Sequence, residues 1–238
     1  MPDSRVVLIS GARRGIGRAI AMRLRREGWR LSLGMRPPAP GAAPEAPEGV
    51  APGEDLHLHP YDALDGGEDA WVAATLARFG RIDAIVANAG VFVGGSVLEG
   101  SDAALDTMWT VHVKAPRRLA QAAFPALAAT GRGRIVIIAS LSGKRVKSPG
   151  SSLYAVTKHA AVALTHGLRQ SGFDQGIRAT AICPGFVATD MARGITPRAD
   201  AEMTDPGDVA ALVSLALALP NTASVAELAV NCQAEELY

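Results

Sequence analysis

The sequence predicts an α/β fold, a doubly wound parallel sheet of seven strands in one domain, and three observations carry that expectation. Short apolar, often β-branched runs recur along the chain, segments of helical length separate most of them, and the first run stops at a glycine-containing turn before helical spacing begins. Strands that alternate with helices pair in parallel through crossover connections, which places helices on both faces of an open sheet. The 238 residues suffice for one substantial core, no internal repeat interrupts the pattern, and 1–238 reads as a single domain.

Taken in order, the first strand is Val6-Val7-Leu8-Ile9, followed by a helix that starts near Ile16. Further buried-strand signals fall at Leu31 to Leu33, Leu56 to Leu58, Ile82 to Ala87, Arg134 to Ala139, Arg178 to Cys183 and Val225 to Val230. Candidate helices run from Asp65 to Phe79, Ser101 to Ala129, Leu153 to Phe173 and Pro206 to Leu219. Ser101 and Ser152 suit N-caps, because a short hydroxyl accepts from a first-turn N–H. Pro206 suits a first turn after Asp205, where its missing N–H costs nothing. One connection breaks the rhythm: 37–53 is dominated by Pro, Ala, Gly and Glu, resists helix and strand alike, and reads as an irregular surface loop.

Composition excludes several function classes. Hydrophobic residues at 48%, aromatics at 5% and charged residues at 20% describe an ordinary globular chain. A net charge of +1 creates no field that draws the protein to nucleic acid or an anionic membrane, and the arginines between Arg13 and Arg30 lack aromatic interleaving. Cys183 and Cys232 sit singly in apolar runs, which predicts buried thiols rather than a disulfide or a metal site. Met1 to Arg5 lead straight into the first strand without a leader-like segment, and the apolar stretch from Val209 to Leu219 is shorter than the roughly 20 residues of a membrane helix. A cytoplasmic protein acting on a small molecule is expected.

The first strand ends in Ser10-Gly11-Ala12-Arg13-Arg14-Gly15-Ile16-Gly17, a G-x-x-x-G-x-G arrangement. A glycine turn that feeds a helix N-terminus sets backbone amides and the positive dipole end against a phosphate, as in Rossmann-like folds. About 20 residues beyond such a turn, an NAD-binding chain usually carries an acid for the ribose 2′-hydroxyl. Here Met35 stands in that place and Arg36 follows, while Arg14 lies inside the turn. Guanidinium forks bind a 2′-phosphate that an acid would repel, so NADP(H) is expected over NAD(H).

Ser140 follows the fifth strand, and Tyr154-Ala155-Val156-Thr157-Lys158 opens the next long helix. Tyrosine and lysine four apart share one helical face. An ammonium beside a phenol favours phenolate by about 4 kcal/mol at roughly 4 Å and an effective dielectric of about 20, before desolvation, which makes a usable acid or base. A serine hydroxyl then holds the substrate oxygen as charge develops on it.

Together these motifs resemble the short-chain dehydrogenase/reductase family over nearly the whole chain. Asp62 matches the acid that contacts adenine, Asn88-Ala89-Gly90 resembles the N-A-G motif after the fourth strand, and Pro184-Gly185-Phe186-Val187-Ala188-Thr189 resembles the P-G-x-x-x-T segment around the nicotinamide. The resemblance implies cofactor contacts from Gly11, Arg13, Arg14, Gly15, Ile16, Gly17, Arg36, Asp62, Asn88, Ala89, Gly90, Pro184, Gly185, Val187 and Thr189, with Tyr154 and Lys158 shared between cofactor and chemistry. It implies Tyr154 as proton donor or acceptor, Lys158 lowering its pKa and holding the nicotinamide ribose, and Ser140, rather than Ser142, orienting the substrate oxygen. The activity implied is hydride transfer between NADP(H) and a carbonyl or secondary alcohol, without a metal, by a homo-oligomer, dimer or tetramer. The contrasting expectation is a non-catalytic NADP(H)-binding sensor or scaffold on the same fold.

Three departures stand out. His112 occupies the place where the family commonly has an asparagine linking the lysine to solvent, and a side chain that donates, accepts and titrates near neutrality suggests a modified proton relay. The segment 190–205 is short where many relatives carry a longer helical lid, which predicts a small or open substrate pocket lined by apolar residues such as Val91, Phe92, Val93, Val146, Phe186 and Met191. After the last strand, Asn231-Cys232-Gln233-Ala234-Glu235 replaces a glycine pair found in many relatives.

Overall fold

The computed structural model describes residues 4–39 and 41–235. Seven parallel strands form one sheet in the order β3-β2-β1-β4-β5-β6-β7. They are β1 (Val6–Ser10), β2 (Arg30–Met35), β3 (Leu56–Pro60), β4 (Ala84–Ala87), β5 (Arg134–Ile138), β6 (Arg178–Pro184) and β7 (Glu227–Val230). The helices are α1 (Gly15–Arg26), α2 (Glu68–Phe79), α3 (Asp102–Trp109), α4 (Ala115–Ala129), α5 (Ser152–Gly172), α6 (Asp190–Arg193) and α7 (Pro206–Ala218).

β1 is buried at every position, as a central parallel strand covered on both faces must be. Its alternate side chains feed two cores. Val7 and Ile9 pack with Ile20 and Leu24 of α1 and Val209 and Val213 of α7. Leu8 joins Trp71 of α2, Leu119 of α4 and Ala161 of α5 on the opposite face. The chain runs outward from β1 to β3, returns, and continues from β4 in the other direction, so the strand order reverses between β1 and β4. At such a switch point the loops beyond the strand ends part and leave a crevice. Gly11 and Asn88 stand there.

Several boundaries differ from expectation. α2 starts at Glu68 rather than near Asp65, because Asp62 forms a bridge with Gly66, and Gly66 and Gly67 take left-handed φ values of 88° and 96°. The segment expected as one helix from Ser101 to Ala129 carries a π-helical turn at Thr110–Lys114 between α3 and α4, and this turn contains His112. Ser101 caps α3, accepting from the Ala104 N–H at 3.2 Å, and Asp205 caps α7, accepting from Gly207 at 2.6 Å. Ser152 is no cap: it is the first residue of α5, donates to the Pro149 carbonyl at 2.7 Å and accepts from the Val97 N–H at 3.0 Å.

The irregular loop at 37–53 also contributes to the core. Pro47 and Val50 are buried, Val50 within the core around α1, and Glu48 pairs with Arg18 at 2.7 Å. Cys183 is buried as expected, whereas Cys232 is half-buried; both are free thiols. Among the described residues, no helix is long and apolar enough to cross a membrane.

Candidate active site

The ends of β1, β4, β5 and β6 open into a cleft of about 1440 Å³. Nearly all the expected site residues line it: the turn residues Gly11, Arg13, Arg14, Gly15 and Ile16, then Arg36, Asp62, Asn88, Ala89 and Gly90, the trio Ser140, Tyr154 and Lys158, and Pro184, Gly185, Val187 and Thr189. Gly17 and His112 stand behind its wall and act on it through their neighbours.

The turn after β1 is shaped by what glycine permits. Gly11 and Gly15 have φ values of 67° and 54°, a region costly for a side chain. A Cβ on Gly17 would overlap the Gly11 carbonyl and lie 2.5 Å from Asn88 Nδ2. Asn88 is therefore a brace. Its Nδ2 donates to the carbonyls of Ser10 and Gly11 at 3.0 and 3.1 Å. Ser10, which sequence reasoning passed over, completes the joint: its Oγ accepts from the N–H groups of Asn88 and Ala89, both at 3.0 Å. With β1 and β4 locked together, the first-turn N–H groups of α1, which have no intrahelical partners, face the cleft as a fixed anion cradle.

Arg14 and Arg36 both line the cleft, each beside an acid. Arg14 Nη1 lies 3.0 Å from Asp190 Oδ2, and Arg36 Nε lies 3.9 Å from Asp62 Oδ2. Both arginines are largely exposed, at 73% and 69%, so the pairs are weak and exchangeable.

Ser140 leaves β5 in extended conformation, and its Oγ accepts from the Ser142 N–H at 3.0 Å while standing 3.5 Å from the Pro184 carbonyl. Ser142 thus contributes backbone to the serine turn. One helical turn apart on α5, Tyr154 and Lys158 point to the same wall, with Lys158 Nζ 5.6 Å from the tyrosine ring centre. Lys158 is buried and donates to the Ile138 carbonyl at 3.1 Å. Burial lowers its pKa to about 8. Burial also pushes the Tyr154 phenol up to about 12, with hydrogen bonding from Ser140 pulling the other way. In the free protein the ammonium is turned to the Ile138 carbonyl, and at the phenol desolvation outweighs the Ser140 hydrogen bond. Phe92 and His112 hold the tyrosine ring edge-on at 5.2 and 5.4 Å.

His112 is buried in the π turn, 2% exposed. Its Nε2 accepts from the Val91 N–H at 3.2 Å, which leaves the proton on Nδ1, 2.8 Å from Thr157 Oγ1; Thr157 in turn donates to the Tyr154 carbonyl at 2.8 Å. Burial, and next the nearby Lys158 charge, push its pKa down to about 2. The side chain joins the loop after β4 to α5.

Val187 bridges to Thr204, Ala188 N–H donates to the Thr204 carbonyl at 2.9 Å, and this clasp closes the base of 190–205. Above it stand only the four residues of α6 and a 3-10 turn at Asp200–Glu202. Val91, Phe92, Phe186 and Met191 line the cleft; Val93 and Val146 do not, and Val146 is exposed at 57%. Among the described residues no group of three or more His, Cys, Asp or Glu side chains is arranged to hold a metal ion.

A family model described as short chain dehydrogenase matches residues 5–200. Two proteins named agropine synthesis reductase from Rhizobium rhizogenes are 39% and 40% identical, over 99% and 97% of this chain but 54% and 53% of their own, so the chain spans about half the length of these curated relatives. Oxidoreductase UcpA of Escherichia coli (strain K12) is 36% identical over 91% of this chain and 80% of its own. Among solved structures, levodione reductase superposes with a TM-score of 0.81 at 28% identity, covering 95% of each chain. An alcohol dehydrogenase from the archaeon Thermococcus sibiricus, complexed with 5-hydroxy-NADP, superposes at 0.80 with 28% identity over 95% of this chain and 96% of its own.

Proposed function

The chain belongs to the short-chain dehydrogenase family and is an oxidoreductase, and from that premise we propose that it transfers a hydride between NADP(H) and a carbonyl or secondary alcohol, working as a ketone or aldehyde reductase. The observation that carries the cofactor choice is that Arg14 and Arg36 both line the cleft, with Met35 where an NAD-binding chain has an acid. The archaeal neighbour solved with 5-hydroxy-NADP supports the same reading. In support, the cleft is lined by the glycine turn, two guanidinium groups, the Ser140, Tyr154 and Lys158 trio and the Pro184–Thr189 segment.

Bound there, the cofactor supplies the hydride. The α1 amides, with Arg13, would hold its phosphates; Arg14 and Arg36 would bind the 2′-phosphate, Asp62 the adenine, and Gly90, Val187 and Thr189 the nicotinamide end. Ser140 Oγ donates to the carbonyl oxygen of the substrate, fixing it beside Tyr154. Tyr154 Oη gives its proton to that oxygen as negative charge develops on it. Lys158 places a positive charge on the same wall, which favours the phenolate left behind. His112 holds Tyr154 by ring contact and through Thr157, a positioning role. Retention of the complete trio supports an enzyme over a sensor or scaffold.

On this reading the protein is a cytoplasmic homo-oligomer, dimer or tetramer, that acts on small molecules and not on nucleic acid or membranes; exposed Trp109 on α3 and Val156 on α5 support the oligomer. The test is a panel of ketones and aldehydes scored by NADPH and by NADH consumption. Turnover with NADPH at least tenfold better than with NADH is expected, and turnover with NADH alone would overturn the cofactor assignment.

A further inference from the structure

The cleft is also lined by a second charged cluster that none of the chemistry above uses. Five and seven residues after Ser140, the chain presents Arg145 and Lys147 to the cleft, and the segment beyond β7 lays Glu235 across them. Arg145 grips this carboxylate with a fork, Nε to Oε2 at 2.7 Å and Nη2 to Oε1 at 2.9 Å, and Lys147 Nζ adds a third contact to Oε1 at 3.2 Å. Gln233 Nε2 donates to Oε1 at 2.7 Å, and Arg198, bonded to the Gln233 carbonyl oxygen, turns that amide so its N–H groups face Glu235. A hydrogen bond from Asn231 joins them, and the combined donors hold the Glu235 carboxyl far below the ordinary carboxylate range.

We infer that this cluster is a receptor for a substrate carboxylate, filled in the free protein by the chain's own Glu235, so that the substrates are oxo acids or hydroxy acids whose carboxylate binds Arg145 and Lys147. The inference rests on the oxidoreductase reading above. Four observations carry it. The two cations lie on the short segment that joins the catalytic serine to the catalytic helix, in the same cleft as Ser140, Tyr154 and Lys158. The planar fork of Arg145 already has the geometry that carboxylates select. Two cations, Arg145 and Lys147, face the one carboxylate of Glu235, so the cluster keeps an excess positive charge. Finally, Glu235 sits in irregular chain beyond the last strand, where leaving disrupts no ladder or helix. Lys147 also lies 5.7 Å from the ring of Phe186, inside the segment assigned to the nicotinamide end, which brings the cationic cluster close to that segment.

The experiment titrates the full chain by calorimetry with 2-oxobutanoate, 4-oxopentanoate and 5-oxohexanoate, each beside its methyl ester, in wild type, Arg145→Met, Lys147→Met and Glu235→Gln. At least one acid is expected to bind at least 10-fold tighter than its ester, as one charge-assisted fork allows. Arg145→Met should bring that ratio close to one, Lys147→Met should lower it severalfold, and Glu235→Gln should tighten the acids while leaving the esters unchanged. Acids and esters that bind alike in wild type, or a ratio that survives Arg145→Met, would overturn the inference. Should Arg145→Met fail to fold, an acid affinity unmoved by both Glu235→Gln and Lys147→Met does the same. The same compounds assayed with NADPH separate the two readings: carboxylate binding without NADPH consumption on any acid or ester sinks the reductase reading and keeps the receptor, whereas consumption without acid preference does the reverse.

Discussion

Replacing Arg14 by alanine isolates the contribution of one guanidinium to cofactor choice. In the free protein Arg14 is 73% exposed and shares Asp190 at 3.0 Å, an exposed pair that contributes about 0–1 kcal/mol. Its loss therefore leaves folding nearly untouched. A hydrogen bond to a charged phosphate contributes about 1.5–3 kcal/mol, and Arg14 gives up its acid to make one, so the net loss is about 1–2 kcal/mol, or about 5- to 30-fold in affinity for NADPH. NADH has no 2′-phosphate and should be unaffected. Arg36 stands beside Asp62 at 3.9 Å and should behave alike, so Arg14→Ala/Arg36→Ala is expected to erase the preference. Asp190→Asn removes the competing acid and should tighten NADPH a few fold. The assay is kcat/KM for each cofactor, with dissociation constants from nucleotide fluorescence. An NADPH-to-NADH ratio that stays within twofold of wild type in the double variant would refute the assignment of both arginines.

Three further perturbations test the site around that contact. Gly17→Ala drives a Cβ into the Gly11 carbonyl and to 2.5 Å from Asn88 Nδ2, so it should lower stability by about 1–3 kcal/mol and NADPH affinity more than tenfold; an alanine variant that binds like wild type would show the brace to be dispensable. Lys158 has its pKa lowered from the ordinary 10.5 to about 8, so its charge costs the folded state about 3 kcal/mol below pH 8, a cost that fades as pH rises from 8 to 10.5. Lys158→Met should accordingly raise Tm at pH 7 while abolishing turnover, and wild-type activity should fall as pH passes about 8; a lower Tm or a flat profile would contradict this. Because His112 is held neutral with a pKa near 2, His112→Asn should leave the pH profile of turnover between 5 and 7.5 unchanged, whereas a lost or shifted limb there would restore a titrating relay.

Much of the fold was legible because strands of a doubly covered parallel sheet are short apolar runs, and β1, β5 and β6 are buried along nearly their whole lengths. The π turn at Thr110–Lys114 was not, since one inserted residue shifts the hydrogen-bond register without changing composition or the overall apolar spacing. Ser152 misled for a related reason: its hydroxyl has local and long-range partners to choose from, and packing against Val97 decided between them. In the site, motifs with fixed spacing pointed to the cleft, where Gly11, Ser140, Tyr154 and Lys158 meet. Ser10, Arg145 and Glu235 carried no signal of their own, because their partners lie 78, 90 and 88 residues away and only the fold brings them together. His112 was found by position, but its protonation state depends on burial and on the Val91 and Thr157 contacts.

The proton step at Tyr154 is the centre of the account, and Tyr154→Phe removes the phenol oxygen while keeping the ring that Phe92 and His112 contact at 5.2 and 5.4 Å. NADPH oxidation by this variant, measured with the best carbonyl substrate of the wild type, should fall by about 100- to 10,000-fold while the NADPH dissociation constant stays within about threefold. Turnover retained at the wild-type rate would contradict the assignment of Tyr154 as the acid.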